Sequence, residues 1–114
     1  MSRQKRVSRK RKKDRRARLF ERNFHSEERV RFIGCLPCEV TGRGFLKREN
    51  AHMKSRGAGG TYKDIVPLYS IVHRDFDEMP ESKFRERYGR TKQSIRDRAP
   101  WYQQLWEGHR GSLE

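Results

Sequence analysis

The chain has 114 residues, enough for one small domain and too few for two. It carries 29 Lys and Arg against 15 Asp and Glu, a net charge of +14, and only 32% of it is hydrophobic. No apolar run approaches the ~18 residues a transmembrane helix requires, the charged start predicts no secretory signal, and two cysteines are too few for a disulfide framework. The expectation is a small, basic, soluble cytoplasmic protein with no membrane partner.

Residues 1–18 hold eleven Lys and Arg and a single Asp. With one Met, one Val and one Ala as apolar side chains, they bury too little surface to offset chain ordering, which predicts a disordered arm. Arg9, Lys10, Arg11, Lys12, Lys13, Arg15 and Arg16 form its densest run. Such a polycation attracts a phosphate backbone without reading its sequence; the plainer reading is a solvated tail. Residues 19–114 are then a single domain.

Within that domain, Leu19, Phe20, Phe24 and Val30 among charges suggest a short docked helix over residues 19–31. Cys35-Leu36-Pro37-Cys38 reads as a tight turn between two thiols, and Thr41–Gly44 as a second turn. A strand ending near Ala51-His52-Met53 leads into a glycine-rich loop, Arg56–Gly60. Its glycines suit a tight connection with positive φ, and flanking Lys54 and Arg56 are candidate phosphate contacts or solvated loop residues. Ile65–Tyr69 reads as a strand, at an edge because of Pro67. Residues 70–78 fit a helix capped by Ser70 and stopped by Pro80, and Lys83–Tyr88 fits a second one ended by Gly89. Near the C-terminus, a helix would pair Trp101 with Leu105 and Tyr102 with Trp106.

The middle of the sequence carries more than composition. Cys35-x-x-Cys38 is followed by Ala51-His52, Ser55-Arg56-Gly57-Ala58-Gly59-Gly60, Asp64-Ile65-Val66-Pro67-Leu68, His73 and Asp77. On a helix, His73 and Asp77, four apart, point to one side, where an imidazole and a carboxylate can hold one divalent ion. Histidine at position 52 suits proton transfer near neutral pH. The plainer readings are a half-buried His52, a surface pair of His73 with Asp77, and an Asp64 that caps a turn.

This order and spacing resembles the HNH endonuclease superfamily, closest to its phage-type branch with the recombination-enhancement nucleases, over about residues 33–90. The resemblance implies an α+β fold: a small ββα-metal, treble-clef-like core with short flanking helices behind the basic arm. It implies a metal-dependent DNA endonuclease, encoded by a phage or prophage and acting in recombination or replication, with RNA as a further possible partner. His52 would be the general base, Asp64 the residue that orients it, and His73 with Asp77 the metal ligands. Mg²⁺ or Mn²⁺ is favoured over Zn²⁺, because Asp77 stands where the family commonly has a histidine.

The chain also departs from the family pattern. The second ligand pair of a zinc knuckle falls on Tyr69 and Val72, so Cys35 and Cys38 are half a knuckle, a vestige expected to hold no structural zinc. Tyr69 and Val72 are expected to pack on the two thiols instead. Ala51 stands where some relatives place a further metal ligand. Two other readings therefore stay open: an HNH-fold nucleic-acid-binding protein that has lost cleavage, and a basic RNA-binding structural protein.

Overall fold

The computed structural model describes residues 2–113 of the chain, with the side chains of 9–55 and 57–111. The fold is α+β. Helix α1 (Ser2–Phe24) and helix α2 (Glu27–Gly34) lead to strand β1 (Arg48–His52). Two short 3₁₀ turns, Arg56–Ala58 and Tyr62–Asp64, connect it to strand β2 (Ile65–Tyr69). Helices α3 (Ser70–Glu78), α4 (Glu81–Tyr88), α5 (Lys92–Arg96) and α6 (Ala99–Leu113) follow. No helix among the described residues is long and apolar enough to cross a membrane.

Helix α1 replaces the disordered arm expected over residues 1–18, and it crosses the expected boundary at residue 18. The segment lacks Gly and Pro and is rich in Arg, Lys and Gln, which are good helix formers. Its side chains are exposed from Arg9 to Arg22, and among the described residues its contacts with the domain come from Phe20 to Phe24. The single helix expected over 19–31 is broken in two. His25 adopts the left-handed conformation, φ 69°, and donates its N–H to the Glu21 carbonyl, which ends α1. Ser26 then caps α2, its hydroxyl accepting from the Arg29 N–H at 3.2 Å.

The strands pair antiparallel, with Arg48 opposite Tyr69 and His52 opposite Ile65. All five residues of β2 are buried, Pro67 included; a two-stranded sheet has only edges, so the missing N–H of Pro67 breaks no ladder. Helix α3 begins at Ser70, directly after β2, but the capping position is Tyr69 and no side chain caps it, contrary to the role expected of Ser70. Gly89 ends α4 at φ 70°, as expected. In α6, Tyr102 and Trp106 form the buried face, whereas Trp101 and Leu105 are exposed. Helix α5, capped by Thr91, has no counterpart in the sequence reading.

The core joins Ile33 of α2, Ala51 of β1, Ile65, Val66 and Leu68 of β2, Val72 and Phe76 of α3, Phe84 of α4 and Ile95 of α5. At about 1.5–3 kcal/mol for each large buried side chain, this cluster is the main source of stability. Charged groups fasten its edges. Glu39 accepts hydrogen bonds from Arg98 Nε (2.8 Å), the Tyr102 hydroxyl (2.7 Å) and Arg90. Burial opposes the Glu39 charge, but those three donors outweigh it and hold the carboxyl below its ordinary range. Arg29 is fully buried, bonded to Gln103 Oε1 at 3.0 Å and stacked over Tyr62. Desolvation pulls its pKa down to about 10, so it stays charged at neutral pH.

Candidate functional site

The uninterrupted order β1, β2, α3 places the end of β1 beside the exposed side of α3. His52 and Met53 from the end of β1, Ser55 from the loop, His73, Phe76 and Asp77 from α3, and Lys92 and Arg96 from α5 line one cleft of about 540 Å³. Three of the four expected catalytic and metal-binding residues, His52, His73 and Asp77, thus share a cavity.

Alternation along β1 assigns its side chains to two sides. Asn50 donates to the Val30 carbonyl of α2 at 3.1 Å, and His52 Nε2 lies 2.7 Å from the Asn23 carbonyl of α1. Glu49 reaches the other way, to α3, where its Oε1 lies 3.2 Å from His73 Nδ1. His73 Nε2 in turn lies 3.5 Å from Asp77 Oδ2. His73 is therefore flanked by a carboxylate at each ring nitrogen.

Sequence reasoning missed Glu49. It stands two residues before Ala51, so it shares a strand face with the position at which the expected metal ligand is absent. That period of two was the available signal. The contact itself spans 24 residues of sequence and depends on how α3 folds back.

A carbonyl oxygen only accepts, so the contact with Asn23 calls for a proton on His52 Nε2. The Phe24 ring meets it edge-on at 5.1 Å between centroids. The last turn of α1 thereby helps set the orientation of the ring. Asp64, the expected orienting residue, is adjacent in register: its carbonyl accepts from the Met53 N–H at 2.7 Å. Its carboxylate Oδ2 accepts from the Thr61 N–H at 2.9 Å and closes a capping box. The Asn23 carbonyl is one contact that orients His52, and the carboxylate of Asp64 also braces the turn before β2.

The glycine loop holds this geometry. Gly59 has φ 88°, and a Cβ on Gly60 would lie 2.1 Å from the Lys54 carbonyl oxygen. Lys54 is exposed beside it, and the side chain of Arg56 lies outside the described residues. The basic run from Arg9 to Arg16, including Lys10, Arg11, Lys12, Lys13 and Arg15, is exposed on α1.

The two thiols part company. Cys38 is buried in one cluster with Tyr69 and Val72, and its Sγ accepts from the Tyr69 N–H at 3.4 Å. Cys35 is exposed, in a separate cleft with Phe32, Trp106 and His109. The expected apolar packing thus covers one sulfur and leaves the other. The surrounding loop is tied by protein groups: Arg48 donates to the carbonyls of Leu36 (2.9 Å), Leu46 (2.7 Å) and Gly44, and Arg90 and Arg98 clamp Glu39. Among the described residues, no group of three or more His, Cys, Asp or Glu is arranged to hold a metal ion.

No protein-family model, curated protein or solved structure matches this chain.

Proposed function

We propose that the chain is a metal-dependent endonuclease of HNH type that hydrolyses phosphodiester bonds in DNA, in the cytoplasm and in phage-type recombination or replication. The observation that carries this reading is the convergence of His52, from the end of β1, with His73 and Asp77, from α3, on one cleft. The order β1–β2–α3 supports a ββα-metal core of the treble-clef-like kind.

The donor set fits one divalent ion. If His73 Nδ1 donates to Glu49, Nε2 carries a lone pair and faces the Asp77 carboxylate across 3.5 Å. Two such acceptors favour a cation between them, and ligand distances of about 2.0–2.3 Å can span that gap. His73 and Asp77 would hold the ion, and Glu49 would orient the imidazole from its far nitrogen. One nitrogen with carboxylate oxygen favours Mg²⁺ or Mn²⁺, with Zn²⁺ as the softer alternative. When bound, the ion would neutralise charge on the phosphate and stabilise the departing 3′ oxygen.

The protein supplies the base. His52 would take the proton of the attacking water, and the Asn23 carbonyl, which lies at its Nε2, would stabilise the imidazolium that forms. The exposed cations of α1 attract the strand without selecting its sequence.

An end-labelled duplex oligonucleotide tests the reading. We expect cleavage in Mg²⁺ or Mn²⁺ that leaves 3′-hydroxyl ends, is abolished by EDTA and falls at least ~100-fold in H73A and D77A. A second reading, a nucleic-acid-binding protein that has lost cleavage, is favoured by the absence of a three-ligand cluster among the described residues. Tight binding of the duplex with no cleavage in either metal would establish it.

A further inference from the structure

The cleft has a basic wall that the reading above leaves unused. Lys92 and Arg96 stand one turn apart on α5, and both line the cavity that holds His52, His73 and Asp77. The Arg96 guanidinium lies 5.2 Å from the centroid of the Phe76 ring, and Lys92 Nζ lies 5.6 Å from the same ring. Phe76 sits on α3 between His73 and Asp77, so the helix carrying the candidate ligands also braces the two cations.

Arg96 is exposed, and among the described residues its side chain makes no hydrogen bond or ion pair and lies against the Phe76 ring. Lys92 Nζ donates to the Met79 carbonyl, which leaves it two further donors. Asp77 lines the same cleft, yet neither cation pairs with it among the described residues. The cleft therefore holds imidazoles and a carboxylate together with two cations that keep unused donors.

We propose that Lys92 and Arg96 form an anion subsite for a single phosphodiester group of a nucleic-acid strand, in the cleft that His73 and Asp77 also line. The planar fork of Arg96 matches two non-bridging phosphate oxygens, and stacking on Phe76 limits the rotamer freedom lost on binding. Lys92 adds a point charge one turn away. The identity of the strand rests on the nuclease reading; the subsite itself requires neither metal nor cleavage.

The test uses the full chain in EDTA, titrated with the dinucleotide thymidylyl-thymidine and followed through the arginine Nε–H resonances. We expect a saturable shift of the Arg96 resonance that thymidine, lacking a phosphate, does not produce. R96Q should weaken binding at least tenfold and K92Q severalfold, with R96K intermediate, because an ammonium keeps the charge but loses the planar fork and its stacking on Phe76. K83Q, exposed on α4 and outside the cleft lining, serves as the control. Binding by R96Q within twofold of the native chain, or equal shifts with thymidine, would overturn the subsite. Equal or tighter binding of inorganic phosphate at Arg96 would also overturn it, by pointing to a free-phosphate site. If R96Q fails to fold, the Arg96 resonance of the native chain and the R96K titration still decide. Without cleavage in the assay, a negative result here leaves the nuclease reading standing, and failed cleavage with intact binding leaves the subsite standing.

Discussion

Glu39 is the clearest case of one side chain holding several elements. It sits in the loop before β1 and receives donors from Arg90 before α5 and from Arg98 and Tyr102 at the start of α6. Its carboxyl is 9% exposed, whereas the partner arginines are 27% and 38% exposed and keep part of their hydration. Glu39→Gln should cost about 1–3 kcal/mol in chemical denaturation at pH 7, the range for unpairing buried charge-assisted hydrogen bonds. The pH dependence follows from the sign of the shift. The folded-state pKa lies below the ordinary value of 4.5, so the contribution is present above that value and is lost as pH falls through the folded-state pKa. The stability gap between native and E39Q chains should therefore be constant near neutrality and close in acid below about pH 4.5.

Gly60 limits the site in a different way. A Cβ there would lie 2.1 Å from the Lys54 carbonyl oxygen and 2.9 Å from that of Ser55, both backbone atoms that cannot turn aside. Gly60→Ala should cost about 1–3 kcal/mol and displace the loop that follows His52. Thermal unfolding would read the first effect, and cleavage per folded molecule the second.

At the scale of elements, α1 has two parts with different work. From Arg9 to Arg22 it is exposed; its last turn, through Asn23 and Phe24, holds His52. Deleting residues 1–18 should leave the unfolding midpoint nearly unchanged. It should cut DNA affinity more than ~10-fold at low salt and flatten the salt dependence, which scales with the phosphates neutralised. Deleting residues 1–24 removes the carbonyl that orients His52. Cleavage should then fall a further ~100-fold beyond the loss in binding, the scale of a misplaced catalytic group.

This division was only partly legible in the sequence. The charge of the arm was plain, but low hydrophobicity read as disorder, whereas a run without Gly or Pro and rich in Arg and Lys also favours a helix. Strands β1 and β2 and helix α3 were legible because short local patterns and Pro80 bound them. The break at His25 was not, since a non-glycine residue with positive φ leaves no compositional mark. Helix α5 is five residues long, too short for a hydrophobic period to appear. At the site, His73 and Asp77 stood out by spacing, and His52 through the resemblance of the string from Ala51 to His73. Glu49 and the Asn23 carbonyl did not, because their contacts span 24 and 29 residues and one of them is a backbone atom, which no side-chain pattern encodes.

Across the whole molecule, charge and chemistry are arranged along the chain in order. A cationic helix leads, a small α+β core follows, and the cleft lies where the end of β1, α3 and α5 meet. The pairing of Cys38 with Tyr69 and the clamps from Arg48, Arg90 and Arg98 fasten the loop before β1. Met53 and Phe76 belong to both the core and the cleft lining, whereas His52 can be changed without removing a member of the core cluster. The most direct measurement is therefore nicking of supercoiled plasmid by the purified chain in Mg²⁺, Mn²⁺ or EDTA, with H52A and H73A prepared in parallel. The account predicts nicking that requires metal and is lost in both variants while they remain folded. Nicking that survives both substitutions, or plasmid binding with no nicking in either metal, would contradict it.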